Sequence, residues 1–486
     1  MIFKQKTANL LLVFGLITLL IVGFTACDED NFSDNPKYSL EFSTDSLTFD
    51  TVFNTIGSAT SKILVYNKNK VALKISQIGL VGGSNSSFHV NVNGANNANN
   101  IFTDMEISAN DSMYIFISVT INSTSPLFIE DELTFTTNGN KQTINLQAFG
   151  QSMEILRNKY ILNDTTLTAD KPYLIFGYAA IDTTKTLTLK PGCKLYFHNN
   201  ANLIVYGNLN AQGTAENPIL MRGDRMDKIK FDTPFPYNNV AGQWGGVFLL
   251  WNGGKHILKN VTMNSGYVGV YFSNDDRETL PTLEITNCKI HNFLLYGLVV
   301  QNGNVTVANT EISNSSSYTV YLNGGKHKFI HSTIANHFND SKVQPVARDK
   351  NPAVMIMNIN RIAPMETEFL NCIITGSSEN EFSIATRFPE LYKGKFHNCY
   401  IRKPKASDLT QFVGTRWFQK NDTIFKSERY DYIKNTYFNF ALDSVSPARK
   451  IGDPTIAAEF PLDLNGNSRI LTNQPDAGAY QWQPTK

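Results

Sequence analysis

The sequence predicts an all-β protein: an N-terminal β-sandwich followed by a right-handed parallel β-helix, a solenoid of stacked turns. Three observations predict it. Short runs of alternating polar and apolar residues recur from Tyr38 to Gly150 with no helical period. A motif apolar-x-Asn-x-x-apolar then repeats through the second half of the chain. Two columns of apolar residues fall into register when that motif is aligned. Composition agrees. Charged residues are 17% and aromatic residues 12% of the 486, the balance of an ordered, core-forming chain. The 43 basic and 42 acidic residues give a net charge of +1; loss of Lys4 and Lys6 with a leader leaves 41 against 42, or −1. So neutral a chain lacks the electrostatic footprint of a nucleic-acid binder, and no nucleic acid is expected as a partner. Five cysteines exclude a disulfide scaffold.

Residues 1–26 read as an export signal. Lys4 and Lys6 precede an apolar run, residues 8–24, and small residues follow at Thr25-Ala26. The alternative is a membrane span, for which a run of 17 residues stands at the short limit. Phe24-Thr25-Ala26-Cys27 resembles a bacterial lipobox, with Phe24 where Leu is usual. The resemblance implies that Cys27 takes the lipid and becomes the mature N-terminus. Acyl chains then anchor the protein to the membrane, with no transmembrane span in the mature protein. The acidic Asp28-Glu29-Asp30 resembles the export signal of Bacteroidetes surface lipoproteins and implies an outer-membrane, cell-surface address. In enterobacterial lipoproteins an Asp at that place implies inner-membrane retention instead. The Asn-, Tyr- and Phe-rich composition also resembles that of Bacteroidetes proteins, a resemblance that implies the surface reading. Residues 27–37 are polar with one Pro and read as a tether.

Residues 38–150 hold seven expected strands, at 46–49, 62–66, 73–78, 87–92, 113–119, 133–137 and 142–148. Seven short strands broken by Asn, Gly and Ser clusters make a sandwich. Val65-Tyr66-Asn67, the turn Ala109-Asn110-Asp111-Ser112 and the ending Thr137-Asn138 with Ile144 to Gly150 resemble Ig-like domains of the HYDIN/abnormal-spindle type. That resemblance implies a spacer or docking module. Asp111-Ser112-Met113 is similar to a short Bacteroidetes O-glycosylation pattern.

The repeat occupies residues 155–486. Its central Asn or His is Asn260, Asn287, Asn309, His331, Asn371 and Asn398, at intervals of 27, 22, 22, 40 and 27. The shortest interval is one turn of a β-helix, and the longer ones add loops. A bend between strands can require a left-handed backbone, which Asn tolerates better than most residues. Stacked Asn side chains can also satisfy one another's amides. The columns read Val247, Val270, Leu298, Val320, Val354, Phe382 and Leu249, Phe272, Val300, Leu322, Ile356, Ile384. Strand alternation turns both columns inward. The run Val205-Tyr-Gly207-Asn-Leu209-Asn-Ala211-Gln-Gly213-Thr214, with Pro218-Ile219 and Trp244-Gly245-Gly246, resembles the opening of β-helix proteins of the pectate-lyase-like superfamily. Ser446-Pro447-Ala448, Asp463 to Gly466 and Pro475 to Tyr480 resemble the closing segment of surface-anchored members. The likeness spans residues 160–486 and implies a C-terminal cap.

Between the inward columns lies an outward one: Phe248, Tyr271, Val299, Tyr321, Met355, Ser383. An aromatic stripe on an outer face means contact with something. Tyr271, Tyr321, Phe248 and Trp251 are the candidate ligand-binding residues, as a platform for saccharide rings. The alternative is a stripe covered by inserted loops or by the first domain. The insertions carry the charges: Asp275, Asp276 and Arg277 in one, Arg348, Asp349 and Lys350 in another, with Arg361, Arg387, Glu390 and Lys393 in shorter ones. Polysaccharide lyases of the resembled superfamily use a Lys or Arg base, with Arg or Ca²⁺ neutralising a uronate. Its glycosidases use paired carboxylates, and Asp275-Asp276 is the one adjacent acidic pair of the β-helix. Asp275, Asp276, Arg277, Arg348 and Lys350 are therefore the catalytic candidates, against a reading as solvated or binding loops. The Gly-His-Gly, Asn-Thr-Asp and Trp-x-Asp-His signatures of polygalacturonases and pectate lyases are absent from the sequence.

His256 and His327 share the string Asn-Gly-Gly-Lys-His but fall about three turns, ~14 Å, apart, too far to share a metal ion. Cys288, Cys372 and Cys399 fill the slot after the motif Asn, as buried thiols or, for Cys372 and Cys399, a disulfide between adjacent turns. No cofactor and no metal are expected, apart from Ca²⁺ if the chain is a lyase. Three functions follow: binding of an extended polysaccharide along a β-helix face, a polysaccharide lyase or glycoside hydrolase, or an adhesive surface protein with a protein partner.

Overall fold

A computed structural model describes residues 32–122, 126–230, 234–250, 254–274, 280–338, 346–359, 364–403, 410–430, 438–471 and 473–484. The chain divides into two units, one ending at Gln151 and the next beginning at Ser152.

Alternation builds the first unit. Its strands form two five-stranded sheets among the described residues. One orders Glu41–Phe42, Ser61–Asn67, Asp111–Val119, Phe88–Val92 and Ala95–Asn96, all antiparallel. The other orders Ser46–Phe53, Asn140–Gln151, Phe128–Thr137, Leu73–Leu80 and Ile101–Ile107, with its first pair parallel. Ile63, Val65, Ile115 and Ile117 from one sheet share a core with Ile75, Leu133, Phe135 and Ile144 from the other. Asn67 is fully buried and its Nδ2 donates to the carbonyls of Val71, Ile107 and Ser108, so the motif Val65-Tyr66-Asn67 ties a loop to the sandwich. The strand Ile101–Ile107 was hidden from period-two reading. Asp104 is left-handed, φ 54°, and the pairing with Leu73–Leu80 keeps its register across it, but the buried positions move from Phe102 to Ile107. That local turn of the backbone breaks the alternation.

The second unit is a solenoid. Each full turn gives one strand to each of three faces, and neighbouring turns pair in parallel. The first face is a ten-stranded sheet that includes Lys255–Lys259, Thr282–Thr286, Asn304–Ala308, Lys326–Ile330 and Met365–Leu370. The second includes Val261–Asn264, Lys289–Phe293, Glu311–Ser315, Thr333–Asn336 and Ile373–Gly376. The third includes Gly246–Leu250, Val268–Ser273, Tyr296–Gln301, Val320–Asn323, Val354–Asn358 and Phe382–Thr386.

The repeating Asn turns the first face into the second. Asn260, Asn287, Asn309, His331, Asn371 and Asn398 have φ of 49°, 56°, 49°, 44°, 54° and 55°. All six are left-handed, the conformation that Asn tolerates at least cost. Their side chains also join the turns. Asn309 Nδ2 donates to Asn287 Oδ1 at 2.9 Å, and Asn371 Nδ2 donates to His331 Nε2 at 2.9 Å. The next corner repeats the device with Ser265, Asn292 and Asn314, at 65°, 61° and 56°.

With the corners fixed, both inward columns register turn on turn. Val247, Val270, Leu298, Val320, Val354 and Phe382 are fully buried, as are Leu249, Val300, Leu322 and Ile356, while Ile384 is half-buried against the same core. Phe329 and Phe369 stack from the first face, with centroids 4.5 Å apart. Trp244 is also fully buried, stacked on Phe197 at 4.1 Å, and its Nε1 donates to Asn264 O at 2.8 Å. It is a packing residue.

The closing segment lies along the side of the turns. Gly478 N donates to Asn371 O at 2.8 Å, Ala479 N donates to Thr333 Oγ1 at 2.9 Å, and Tyr480 Oη donates to Glu311. Gly478 has φ 90°, and a Cβ there would meet Ile373 Cδ1 at 2.6 Å, so glycine permits the close approach. No helix of the described residues is long and apolar enough to cross a membrane.

The corner conformation is testable at Asn260, whose Nδ2 donates to Gly213 O at 3.0 Å. Asn260→Ala and Asn260→Gly both lose that bond, but only glycine accepts the left-handed backbone freely. Urea titration should place the Ala variant about 1 kcal/mol below the Gly variant. Equal stability would refute the corner argument.

Candidate functional site

The third face carries the aromatic stripe on its outer side. The ladder runs Phe248↔Tyr271↔Val299↔Tyr321↔Met355↔Ser383. Val299 is the smallest apolar member and is buried between its two tyrosine neighbours; the rest are half-buried. Phe248 and Tyr271 have centroids 5.8 Å apart. Two further rings extend the patch. Tyr296 and Tyr318 stack at 6.2 Å with planes 10° apart, and Tyr318 lies 5.6 Å from Tyr321. Gln301 Nε2 donates to Tyr271 Oη at 2.8 Å and holds that ring in place. Burial pushes the Tyr318 and Tyr321 phenols above the ordinary value, and neighbouring tyrosines add to the rise at Tyr321. Both hydroxyls are neutral at physiological pH, able to donate and accept.

Tyr296 and Tyr318 escaped the column alignment because they stand where the strands begin: Tyr296 is the first residue of its strand and Tyr318 lies two residues before the next. The signal was there: each lies two residues before an inward residue, Leu298 or Val320, one 22-residue turn apart.

Of the other expected site residues, Cys27, Trp251, Asp275, Asp276 and Arg277 lie outside the described residues. Arg348 lies in the corner before Val354–Asn358 and is engaged. Its guanidinium grips Glu381 with two bonds, 2.8 Å from Nη1 to Oε1 and 2.5 Å from Nη2 to Oε2. The side chains are 3% and 0% exposed. Nη1 also donates to Asn336 O and Ser377 Oγ, and Nη2 to Asn351 O. This pair fastens one corner to the next turn. Lys350, two residues on, is exposed. The structure thus sets Arg348 and Lys350 apart in environment, while Asp349 between them lies near enough to Tyr318 to raise its phenol further.

His256 and His327 occupy one inward column of the first face, separated by Leu283 and Val305. Burial pushes both down to about 4, so each is a neutral core residue at physiological pH. Cys288, Cys372 and Cys399 are buried free thiols, with Cys399 hydrogen-bonded to Cys372.

The second face holds a feature that no motif announced. A cavity of about 210 Å³ is lined by Lys289, His291, Glu311, Ser313, Phe440 and Tyr480, with Phe438, Asn439 and Asn465 completing the wall. Lys289↔Glu311 and His291↔Ser313 are facing pairs on adjacent turns. Tyr480 brings the closing segment over them. Glu311 accepts from Tyr480 Oη and, at 2.8 Å, from Ser313 Oγ. Burial, then the adjacent carboxylate, hold the Tyr480 phenol well above its ordinary value, so it donates. Lys289 Nζ sits 5.6 Å from the Tyr480 ring centroid.

The solenoid agrees with one comparison, a family model. The family model for the right handed beta helix region matches residues 245–362. The described residues of that range form a right-handed β-helix. No curated protein matches the chain. Among solved structures, a family 123 glycoside hydrolase from Clostridium perfringens is 9% identical with a TM-score of 0.16. The match covers 24% of this chain and 26% of that one, so about a quarter of the hydrolase's length is spanned. The ASH/PapD-like domain of human CEP192 is 16% identical with a TM-score of 0.17, over 25% of this chain and 89% of that one.

Two predictions follow from these burials. Arg348→Met strands the Glu381 carboxylate in the interior and should cost about 3–5 kcal/mol of stability, whereas Lys350→Met should stay within about 0.5 kcal/mol; urea titration reads both. His327 ionises more readily unfolded, at about 6.5, than folded, at about 4. Its contribution is therefore complete above pH 6.5 and is lost as pH falls toward 4, by about 2 kcal/mol at pH 5. His327→Leu should lose less stability between neutral pH and pH 5 than the parent. An unchanged slope would show that His327 is not the neutral core residue described.

Proposed function

We propose that the protein is a surface lipoprotein, anchored through Cys27 in the outer membrane, that binds an extended polysaccharide along the third face of the β-helix. The observation that carries this reading is the outward cluster of Phe248, Tyr271, Tyr296, Tyr318 and Tyr321. Aromatic rings offer broad apolar faces to the C–H faces of sugar rings, while phenol hydroxyls serve sugar hydroxyls as both donors and acceptors. The rings repeat along the solenoid axis at multiples of the ~4.8 Å turn spacing. A linear polymer laid along that axis meets a ring at successive steps. The contacts already made between rings, and by Gln301 to Tyr271, fix the platform before a ligand arrives, which reduces the ordering cost of binding.

A glycan array probed with the detergent-solubilised full chain tests this. The expected result is retention of at least one extended polysaccharide without cleavage. Tyr271→Ala combined with Tyr321→Ala should weaken it by at least tenfold, about 1.4 kcal/mol. Silence across a broad array would sink the glycan reading and favour a protein partner. Release of new reducing ends or unsaturated uronate would favour an enzyme.

A further inference from the structure

We propose that the cavity on the second face binds a single neutral sugar ring, at a site separate from the aromatic face. Three features of its wall select that ligand. The first is size. About 210 Å³ holds roughly seven waters at ~30 Å³ each, which suits one pyranose ring of about a dozen non-hydrogen atoms and not a longer chain.

The second is charge. Glu311 presents a carboxylate and Lys289 an ammonium to the same space. Among the described residues Lys289 makes no ion pair within 4 Å. The carboxylate disfavours an anion and the ammonium disfavours a cation. A neutral ligand that donates to one and accepts from the other satisfies both.

The third is the mixture of polar and apolar groups. Each Glu311 oxygen takes one hydroxyl, from Ser313 or Tyr480, and a carboxylate has about four acceptor sites. Acceptor capacity therefore remains for ligand hydroxyls. Burial pushes His291 down to about 4, so the imidazole in the wall is neutral and adds no charge to the cavity. Asn439 and Asn465 bring amides, and Phe438 and Phe440, stacked at 5.8 Å, bring an apolar surface. Vicinal hydroxyls beside an apolar C–H face are the complement of such a wall. The closing segment completes it, because Tyr480 both roofs the cavity and orients Glu311.

The test is calorimetric titration of the detergent-solubilised full chain. The probes are the methyl glycosides of glucose, galactose, mannose and N-acetylglucosamine, with glucuronate and glucosamine as charged comparators. At least one neutral glycoside should bind with a Kd of about 1 mM or tighter. Lys289→Met and Asn439→Ala should each weaken it about tenfold. These side chains sit at the cavity's more accessible edge, so they test it without the folding risk of Glu311→Gln. The Tyr271→Ala, Tyr321→Ala double variant should leave this affinity unchanged, which separates the cavity from the aromatic face. The proposal is overturned if no neutral glycoside binds at about 20 mM, twenty times the expected Kd. It is equally overturned if a charged sugar binds better, or if binding survives Lys289→Met and Asn439→Ala but is lost in the tyrosine variant.

Discussion

The solenoid depends on a residue that will accept a left-handed backbone once per turn. Between the first and second faces the chain must bend while keeping strands on both sides in parallel register. A residue at φ of 44–56° does this in six successive turns. An ordinary side chain there would cost about 1–2 kcal/mol per turn. Asn lowers that cost and adds an amide that reaches the neighbouring turn, as from Asn309 to Asn287. His331 takes the same place and the same role. Burial holds its pKa well below the usual histidine value, so it is neutral and its Nε2 accepts from Asn371. Backbone geometry and inter-turn bonding are thus solved by one residue, and the inward columns follow because the strands have no freedom left to slip.

The same corner receives the closing segment. Asn371 exchanges two bonds with Asp453, Asn398 Nδ2 donates to Ile451 O, and Asn309 Oδ1 accepts from Arg469. Arg469 is fully buried, and desolvation lowers it to about 10 while Asp463 and Asp476 raise it. It therefore remains a cation at neutral pH. Removing this segment would uncover the apolar outer side of the second face at Ala335, Ile373 and Tyr400, which it packs against.

Much of this was legible. The motif spacing identified the corner residues, and column alignment identified the interior, because repeated backbone geometry forces repeated residue choices at those places. The left-handed Asp104 hid a strand, since the buried positions move from Phe102 to Ile107 across it and the period of two is lost. The outer faces were harder. Tyr296 opens its strand and Tyr318 stands just before the next, at the margin of the aligned columns. The cavity unites Lys289 with Tyr480, and long-range meetings of that kind leave no local periodicity. Arg348 shows the converse. Its charge and loop position read as accessible chemistry, yet its partner Glu381 comes from the next turn, and the pair is a fastening.

Function on such a scaffold is confined to side chains that point outward, because the inward ones are committed to the core. The second and third faces share one backbone plan and differ in what lies over them. On the third face, rings pack side by side along the axis and stay half-exposed, which suits a ligand as long as the face. On the second face the closing segment covers the turns from Glu311 onward. What remains is a short, walled space where uncovered and covered turns meet. An open stripe and a closed end are complementary shapes for a linear polymer and for a single ring. One solenoid can present both without altering a corner or a core residue, since each depends only on outward positions.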